Sequence, residues 1–313
     1  MKAADVRRRA DLLLSPTAPS PIVGAIALTG LRLLAGLIWL YNVVWKVPSD
    51  FGERSHTGLY HYTHLAVEHP VFKPFSWLIE HVVLPNFDGY GWAVLVIESV
   101  LAVLLLTGAF VRLAALLGVL QSMAIALSVS ESLGEWPWAY AMMIAIHAVL
   151  LFTWSTRYAA VDAIRAAGSG PAARLVAQRL LGGWGVVLGL IGLVAFCRAV
   201  GKGRTVNVGI RELEFSLGDY NLSGALLLIG IALAMLAAAI FGWRIFAGVA
   251  ALVAASAAVS IYLQIGKGEV WIGGTLTTEL VFLCAAVISL ATGHRLDREV
   301  SPDGQRPKAF RRL

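Results

Sequence analysis

Two long apolar runs in residues 89–130, joined by a short hinge at residues 107–112, constrain most strongly how this chain can fold. Each run is close to the ~20 residues that an α-helix needs to cross a bilayer. Glu98 lies inside the first run and Arg112 lies at the hinge. Because a charge in the hydrocarbon is costly, we expect Glu98 to face a partner or a wet cavity, whereas Arg112 fits a snorkelling anchor at the membrane face.

The composition indicates a polytopic membrane protein. Of the 313 residues, 58% are hydrophobic and 14% are charged, well below the roughly 25% charged residues of soluble domains. The two cysteines, Cys197 and Cys284, lie in or beside apolar runs and form neither a disulfide framework nor a C-x-x-C motif. The formal net charge of +6 says little about partners, because the basic residues mostly follow one membrane face, and we predict no nucleic-acid partner.

The apolar runs predict an all-α integral membrane protein with eight transmembrane helices. Inner segments would carry sixteen Lys and Arg residues and outer segments eight if the N-terminus is cytoplasmic. This asymmetry predicts that both termini are cytoplasmic. The predicted spans are residues 22–45, 90–106, 113–129, 138–154, 180–196, 222–241, 245–263 and 271–292.

The spacing of these spans predicts two tandem bundles. Each half has one span, a long outer segment and three closely joined spans, and an even number of spans per half gives both copies one orientation. The predicted divisions are a cytoplasmic tail (1–21), a four-helix bundle (22–162) with its outer segment (46–89), a cytoplasmic linker (163–178), a degenerate second bundle (179–297) and a cytoplasmic tail (298–313).

Several motifs in the first half resemble one known family. The first span contains Arg32 and ends in Trp45-Lys46, Glu98 is followed by LLLTGAFVRLAAL, and the fourth span is followed by RYAAVD, which ends at Asp162. These features resemble the DoxX family of four-helix membrane proteins. The outer stretch VVLPNFDGYGW is similar to the DoxD branch, the membrane subunits of thiosulfate:quinone oxidoreductases. The resemblance covers about residues 32–162, with a fainter copy at 179–297.

This resemblance implies a multi-pass protein of the bacterial plasma membrane that serves a quinone-linked oxidoreductase. Quinone would be a diffusible substrate, another protein subunit would oxidise the electron donor, and no flavin or haem would be bound. Two other classes stay open: a non-enzymatic scaffold or assembly partner of a larger complex, and a transporter of small molecules or lipids. Parallel repeats also build transporters.

Depth along the spans predicts which polar residues meet. At 1.5 Å per residue, Glu98 and His147 lie roughly 12–14 Å below the outer face, and Gln121 falls near mid-membrane. Asn42 lies about one turn below Lys46, whereas Arg32 lies deeper, roughly 20 Å down. Histidine and a carboxylate suit proton exchange with a quinone head group. The alternative is structural, with Glu98 paired to Arg32 or to another helix. The predicted pocket residues are Glu98, His147, Gln121, Asn42 and Arg32.

Polar residues outside the predicted pocket suggest three further features. His61, His64 and Glu68 share one face if residues 57–68 are helical, which favours an interfacial cap but also fits a solvated loop or a metal site. Because no tight metal motif is present, we predict no metal. Glu279 supplies a polar site midway along the last predicted span. Alternating residues at 205–215 predict a strand or hairpin, or an edge for a soluble partner.

Overall fold

The computed structural model describes residues 21–48, 50–210, 215–265 and 270–296, and it is mostly helical. Nearly all of the two predicted cytoplasmic tails lies outside the described residues. The helices are α1 (Pro21–Val43), α2 (Gly58–Glu68), α3 (Lys73–Leu78), α4 (Phe87–Thr107), α5 (Val111–Val129), α6 (Pro137–Phe152), α7 (Val161–Ala166), α8 (Pro171–Ala199), α9 (Leu222–Phe241), α10 (Arg244–Gln264) and α11 (Leu276–Leu296).

Seven helical segments in the described part are long and apolar enough to cross a membrane, so the chain is a multi-pass membrane protein. One of them is the continuous segment Lys73–Thr107, in which a π-helical and a 3-10 turn join α3 to α4. The fourth predicted span, α6, has only 16 residues, fewer than the ~20 that span the hydrocarbon. An eight-span topology therefore stays a prediction.

The two halves use the same pattern of helix packing. In the first, α1 packs on α4 and α5 on α6; in the second, α8 packs on α9 and α10 on α11. Both central turns also use a left-handed glycine, with φ of 68° at Gly108 and 72° at Gly242. Glycine suits these positions because a Cβ atom disfavours positive φ. Superposition of the halves as a tandem repeat is a further prediction that these shared features support.

Helix α11 joins the two halves. It packs against α8, α9 and α10 of its own half and also against α1 and α4 of the other. Its residues Leu276, Leu280 and Cys284 belong to the buried cluster of the first half, whereas Phe282 and Ala285 belong to that of the second. The small residues of α9 and α10 permit close approach of the helices, as in other membrane bundles.

A β-hairpin interrupts the otherwise helical fold. Strands β1 (Val206–Ile210) and β2 (Phe215–Tyr220) pair antiparallel. A strand or hairpin was one of the alternatives predicted at 205–215, although the all-α fold class omitted it. The backbone N–H of Asp219 donates to Thr278 Oγ1 at 2.8 Å, and that hydroxyl donates to the Asp219 carbonyl at 2.9 Å. These bonds fix β2 against the first turn of α11.

Candidate functional site

Glu98 forms a buried ion pair with Lys46. The distance from Lys46 Nζ to Glu98 Oε2 is 2.6 Å, and the two side chains are only 2% and 1% exposed. Gln121 Nε2 donates to the other carboxylate oxygen, Oε1, at 3.1 Å. The carboxylate therefore has a charged partner from beyond the end of α1 and a neutral one from α5.

The end of α1 places Lys46 against Glu98. After α1 ends at Val43, the Lys46 N–H donates to the Val43 carbonyl and Lys46 Nζ donates to the Asn42 carbonyl at 2.7 Å. The ammonium also lies 3.7 Å from the centre of the Trp45 ring, a distance suited to a cation–π contact. Burial lowers the pKa of Lys46, and the facing carboxylate of Glu98 opposes that shift.

A cavity of about 530 Å³ lies beside this pair. Its walls come from the end of α1, from α2, α4, α5 and α6, and from the loop before α6. Three of the five predicted pocket residues line it, namely Glu98, Gln121 and Asn42. Its other polar lining residues are Tyr41, Lys46, Tyr62, Thr63, Tyr90, Ser128, Glu135 and Tyr140.

His147 does not line this cavity. Its Nδ1–H donates to the Met143 carbonyl at 2.7 Å, which leaves Nε2 to accept from the Trp39 indole N–H at 2.8 Å. Gly118 packs directly on the ring, since a Cβ at that position would lie 2.1 Å from His147 Cδ2. A neutral imidazole with both nitrogens bonded thus ties α6 to α1 and packs against α5. His147 was predicted to lie near Glu98 because the two residues have similar depths in the membrane. Depth along a helix does not fix the direction in which a side chain points.

Arg32 also lies apart from the cavity and does not pair with Glu98. It is fully buried, and its guanidinium donates to four backbone carbonyls. Two belong to the last turn of α4 and two to the segment before α7; the bond to Ala159 O measures 2.8 Å. Breaks in regular helix leave such carbonyls without intrahelical partners. The acceptors are Leu105, Leu106, Tyr158 and Ala159.

Two of the motifs that resemble the DoxX family, the TGAF turn and the RYAAVD segment, meet around this arginine. A Cβ at Gly108 would lie 2.7 Å from Arg32 Nη1 and 2.4 Å from Ala160 Cβ, so the turn requires glycine for space as well as for its positive φ. Asp162 accepts from the backbone N–H groups of Phe110 and Val111 at 3.2 and 3.0 Å, and so caps the start of α5. These contacts give the family-like residues at this end a structural role.

Helix α2, which carries His61 and His64, contributes to the cavity through residues other than these histidines. Helix α2 directs Leu59, Tyr62 and Thr63 towards the cavity. His64 Nδ1 lies 3.2 Å from Glu68 Oε1 on an exposed surface, and His61 contacts the Tyr62 ring. Among the residues that the structure describes, no three His, Cys, Asp or Glu side chains are placed to share a metal ion.

Glu279 lies in the first turn of α11, at the end of the helix and not midway along a span. The predicted span began at residue 271, but Gly273 and Gly274 have φ values of 66° and 142°, which delay the helix until Leu276. Glu279 is partly buried and does not line the cavity beside Glu98. Among the described residues, no ion pair equivalent to Lys46–Glu98 forms at Glu279.

Lys46 was not among the predicted pocket residues, because its position after the first predicted span assigned it to the outer segment. Its position directly after Trp45, one turn beyond Asn42, was the available signal. The long side chain of a lysine near a helix end can reach back into the bundle and pair with a buried carboxylate. Comparison with family models, with curated proteins and with solved structures finds no match to this chain.

Proposed function

We propose that this chain is the quinone-binding membrane subunit of an oxidoreductase in the bacterial plasma membrane, with the quinone head group in the cavity beside Lys46, Glu98 and Gln121. The observation that carries the proposal is the buried ion pair on the wall of a cavity of about 530 Å³. An ionisable pair within a membrane bundle is costly to bury and characteristically marks a site for substrates, ions or protons.

The chemistry of the pair suits both forms of a quinone. Lys46 Nζ is a hydrogen-bond donor for a quinone carbonyl, and Glu98 accepts from a quinol hydroxyl. Reduction of a quinone to a quinol consumes two electrons and two protons, and a lysine–carboxylate pair can pass on protons one at a time. Gln121 holds Glu98 Oε1, which fixes the carboxylate without supplying a second charge.

The size and the lining of the cavity also support a quinone. The volume falls within the roughly 300–1,000 Å³ of small-molecule sites, and the polar groups stand among aromatic and aliphatic walls. Tyr41 and Tyr62 are each 41% exposed, so the cavity reaches the surface beside them. An isoprenoid tail could leave the site by that opening, while the head group stays beside Lys46.

The electrons are proposed to come from a partner protein. The resemblance to the DoxD branch implies a separate subunit that oxidises a sulfur compound such as thiosulfate and delivers two electrons to the bound quinone. In this arrangement the present chain holds the acceptor and offers the docking surface. Its own ionisable residues handle only the protons.

A binding assay on purified full-length chain tests this proposal. Co-purified lipid extract is analysed for quinone, and a short-chain ubiquinone or menaquinone analogue is then titrated into the delipidated protein. The double variant Lys46→Met with Glu98→Gln removes both charges and should weaken binding by tenfold or more, since a hydrogen bond to a charged group contributes about 1.5–3 kcal/mol.

The matched control is Glu279→Gln, which neutralises a partly buried carboxylate that does not line the cavity. It should bind quinone as the unaltered protein does. The proposal fails if the folded double variant retains full quinone affinity, or if neither quinone analogue binds the unaltered chain.

A further inference from the structure

A second cavity, of about 670 Å³, lies between the two halves and shares no lining residue with the cavity beside Glu98. We call it the inter-half slot. Helix α1 and the end of α4 form one side, α8 forms the other, and α11 contributes Val281 and Cys284. Along α8 the lining residues extend from Val176 to Ile191, which corresponds to roughly 22 Å of helix.

The walls of the slot are almost entirely apolar. Leu33, Leu37 and Leu40 form a stripe along one face of α1, because their spacings of four and three residues place them on the same side of the helix. On α8, Gly183 is exposed, and a Cβ added there would have no atom within 4 Å. The slot is therefore open beside Gly183, on a surface that faces lipid in a membrane protein.

The charged lining residues of the slot are two arginines. Arg157 lies in the segment before α7, and Arg179 lies in the third turn of α8. Both are exposed, and neither forms an ion pair with any carboxylate in the described part of the chain. The Arg157 guanidinium lies 5.6 Å from the centre of the Tyr158 ring. The backbone carbonyl of Tyr158 accepts a hydrogen bond from the Arg32 guanidinium.

We propose that the inter-half slot binds an anionic phospholipid, with one acyl chain along α8 and the phosphate between Arg157 and Arg179. The hydrocarbon of one leaflet is about 15 Å thick, half of the ~30 Å core, so a slot of this length accommodates a leaflet-long chain. Arginine binds phosphate oxygens through parallel N–H donors. The positive-inside orientation assigns the lipid to the cytoplasmic leaflet.

The charge of the slot argues against a neutral occupant. A quinone head group would leave both arginines without an anion, and a free phosphate ion would leave the long apolar wall empty. The phosphate of a phospholipid pairs with the two arginines, and its acyl chain covers the apolar wall. Because the slot and the cavity beside Glu98 share no residues, loss of lipid binding and loss of quinone binding are separable results.

Native mass spectrometry of the full-length chain in detergent tests the proposal. The protein is titrated with phosphatidylglycerol or with phosphatidylcholine of identical acyl chains, and inorganic phosphate is added as a head-group competitor. One variant, Gly183→Leu, fills the slot; the other, Arg157→Gln with Arg179→Gln, removes its charge. The controls are Gly230→Leu, at another exposed glycine with open space around it, and Arg244→Gln, at an exposed arginine outside the slot.

We expect phosphatidylglycerol to bind more tightly than phosphatidylcholine in the unaltered chain and in both controls. Removing the two arginines should weaken phosphatidylglycerol binding about thirty-fold, equivalent to about 2 kcal/mol, and Gly183→Leu should weaken binding of both lipids. Equal binding of the two lipids by the unaltered chain would overturn the proposal. So would full displacement by inorganic phosphate, or unchanged binding by folded Gly183→Leu protein.

Discussion

Removal of Lys46 should strongly destabilise the bundle, because it leaves the Glu98 carboxylate buried without a counter-charge. The two side chains are 2% and 1% exposed and only 2.6 Å apart. Breaking one partner of such a buried pair costs about 3–5 kcal/mol, whereas an exposed pair contributes about 0–1 kcal/mol. Lys46→Met alone should therefore lower the free energy of unfolding by about 3–5 kcal/mol.

The double variant Lys46→Met with Glu98→Leu should recover most of this loss. Replacing both members of a buried ion pair with apolar residues of similar volume is often neutral or stabilising. A double-mutant cycle should therefore give a coupling energy of about 3 kcal/mol or more. The assay is reversible unfolding in mixed detergent micelles, followed by circular dichroism at increasing denaturing detergent.

The matched control is the exposed pair His64–Glu68, whose side chains are 35% and 50% exposed. His64→Ala should change the free energy of unfolding by less than about 1 kcal/mol. If Lys46→Met is equally mild, or if the effects of the two single changes at Lys46 and Glu98 simply add, then the pair is not the buried, mutually dependent contact described here.

Three other changes test separate parts of the structure. Gly108→Ala should cost about 2 kcal/mol or more through positive φ and the clash with Ala160, whereas Gly230→Ala, with open space at its Cβ, should not destabilise; equal melting temperatures would contradict this. Trp39→Phe leaves His147 Nε2 without its donor and should cost about 1–3 kcal/mol in the same unfolding assay, and an unchanged midpoint would refute the bond. Epitope tags in three loops should be accessible from outside intact cells, and a terminal tag should not; cytoplasmic exposure of any loop tag would refute the topology. The tag sites are Ser55, Leu133 and Lys202.

The sequence by itself determined the elements that depend on local pattern. Apolar runs near bilayer length predicted the long helices, because a membrane requires each segment to satisfy its own backbone hydrogen bonds. Alternation of polar and apolar residues at 205–215 predicted a strand or hairpin there, since successive strand side chains face opposite sides. Glu98 was identified as a residue in need of a partner, because an unpaired carboxylate in hydrocarbon is costly.

Tertiary structure decided which partner Glu98 has. Depth along a helix can be counted from the sequence, but the rotation of each helix about its axis is set by packing against its neighbours. Arg32 consequently donates to backbone carbonyls, and His147 accepts from Trp39. The chain beyond α1 turns back, so that Lys46 contacts the Glu98 carboxylate. The same limit applies to α11, whose central place between the halves depends on long-range contacts that no local pattern records.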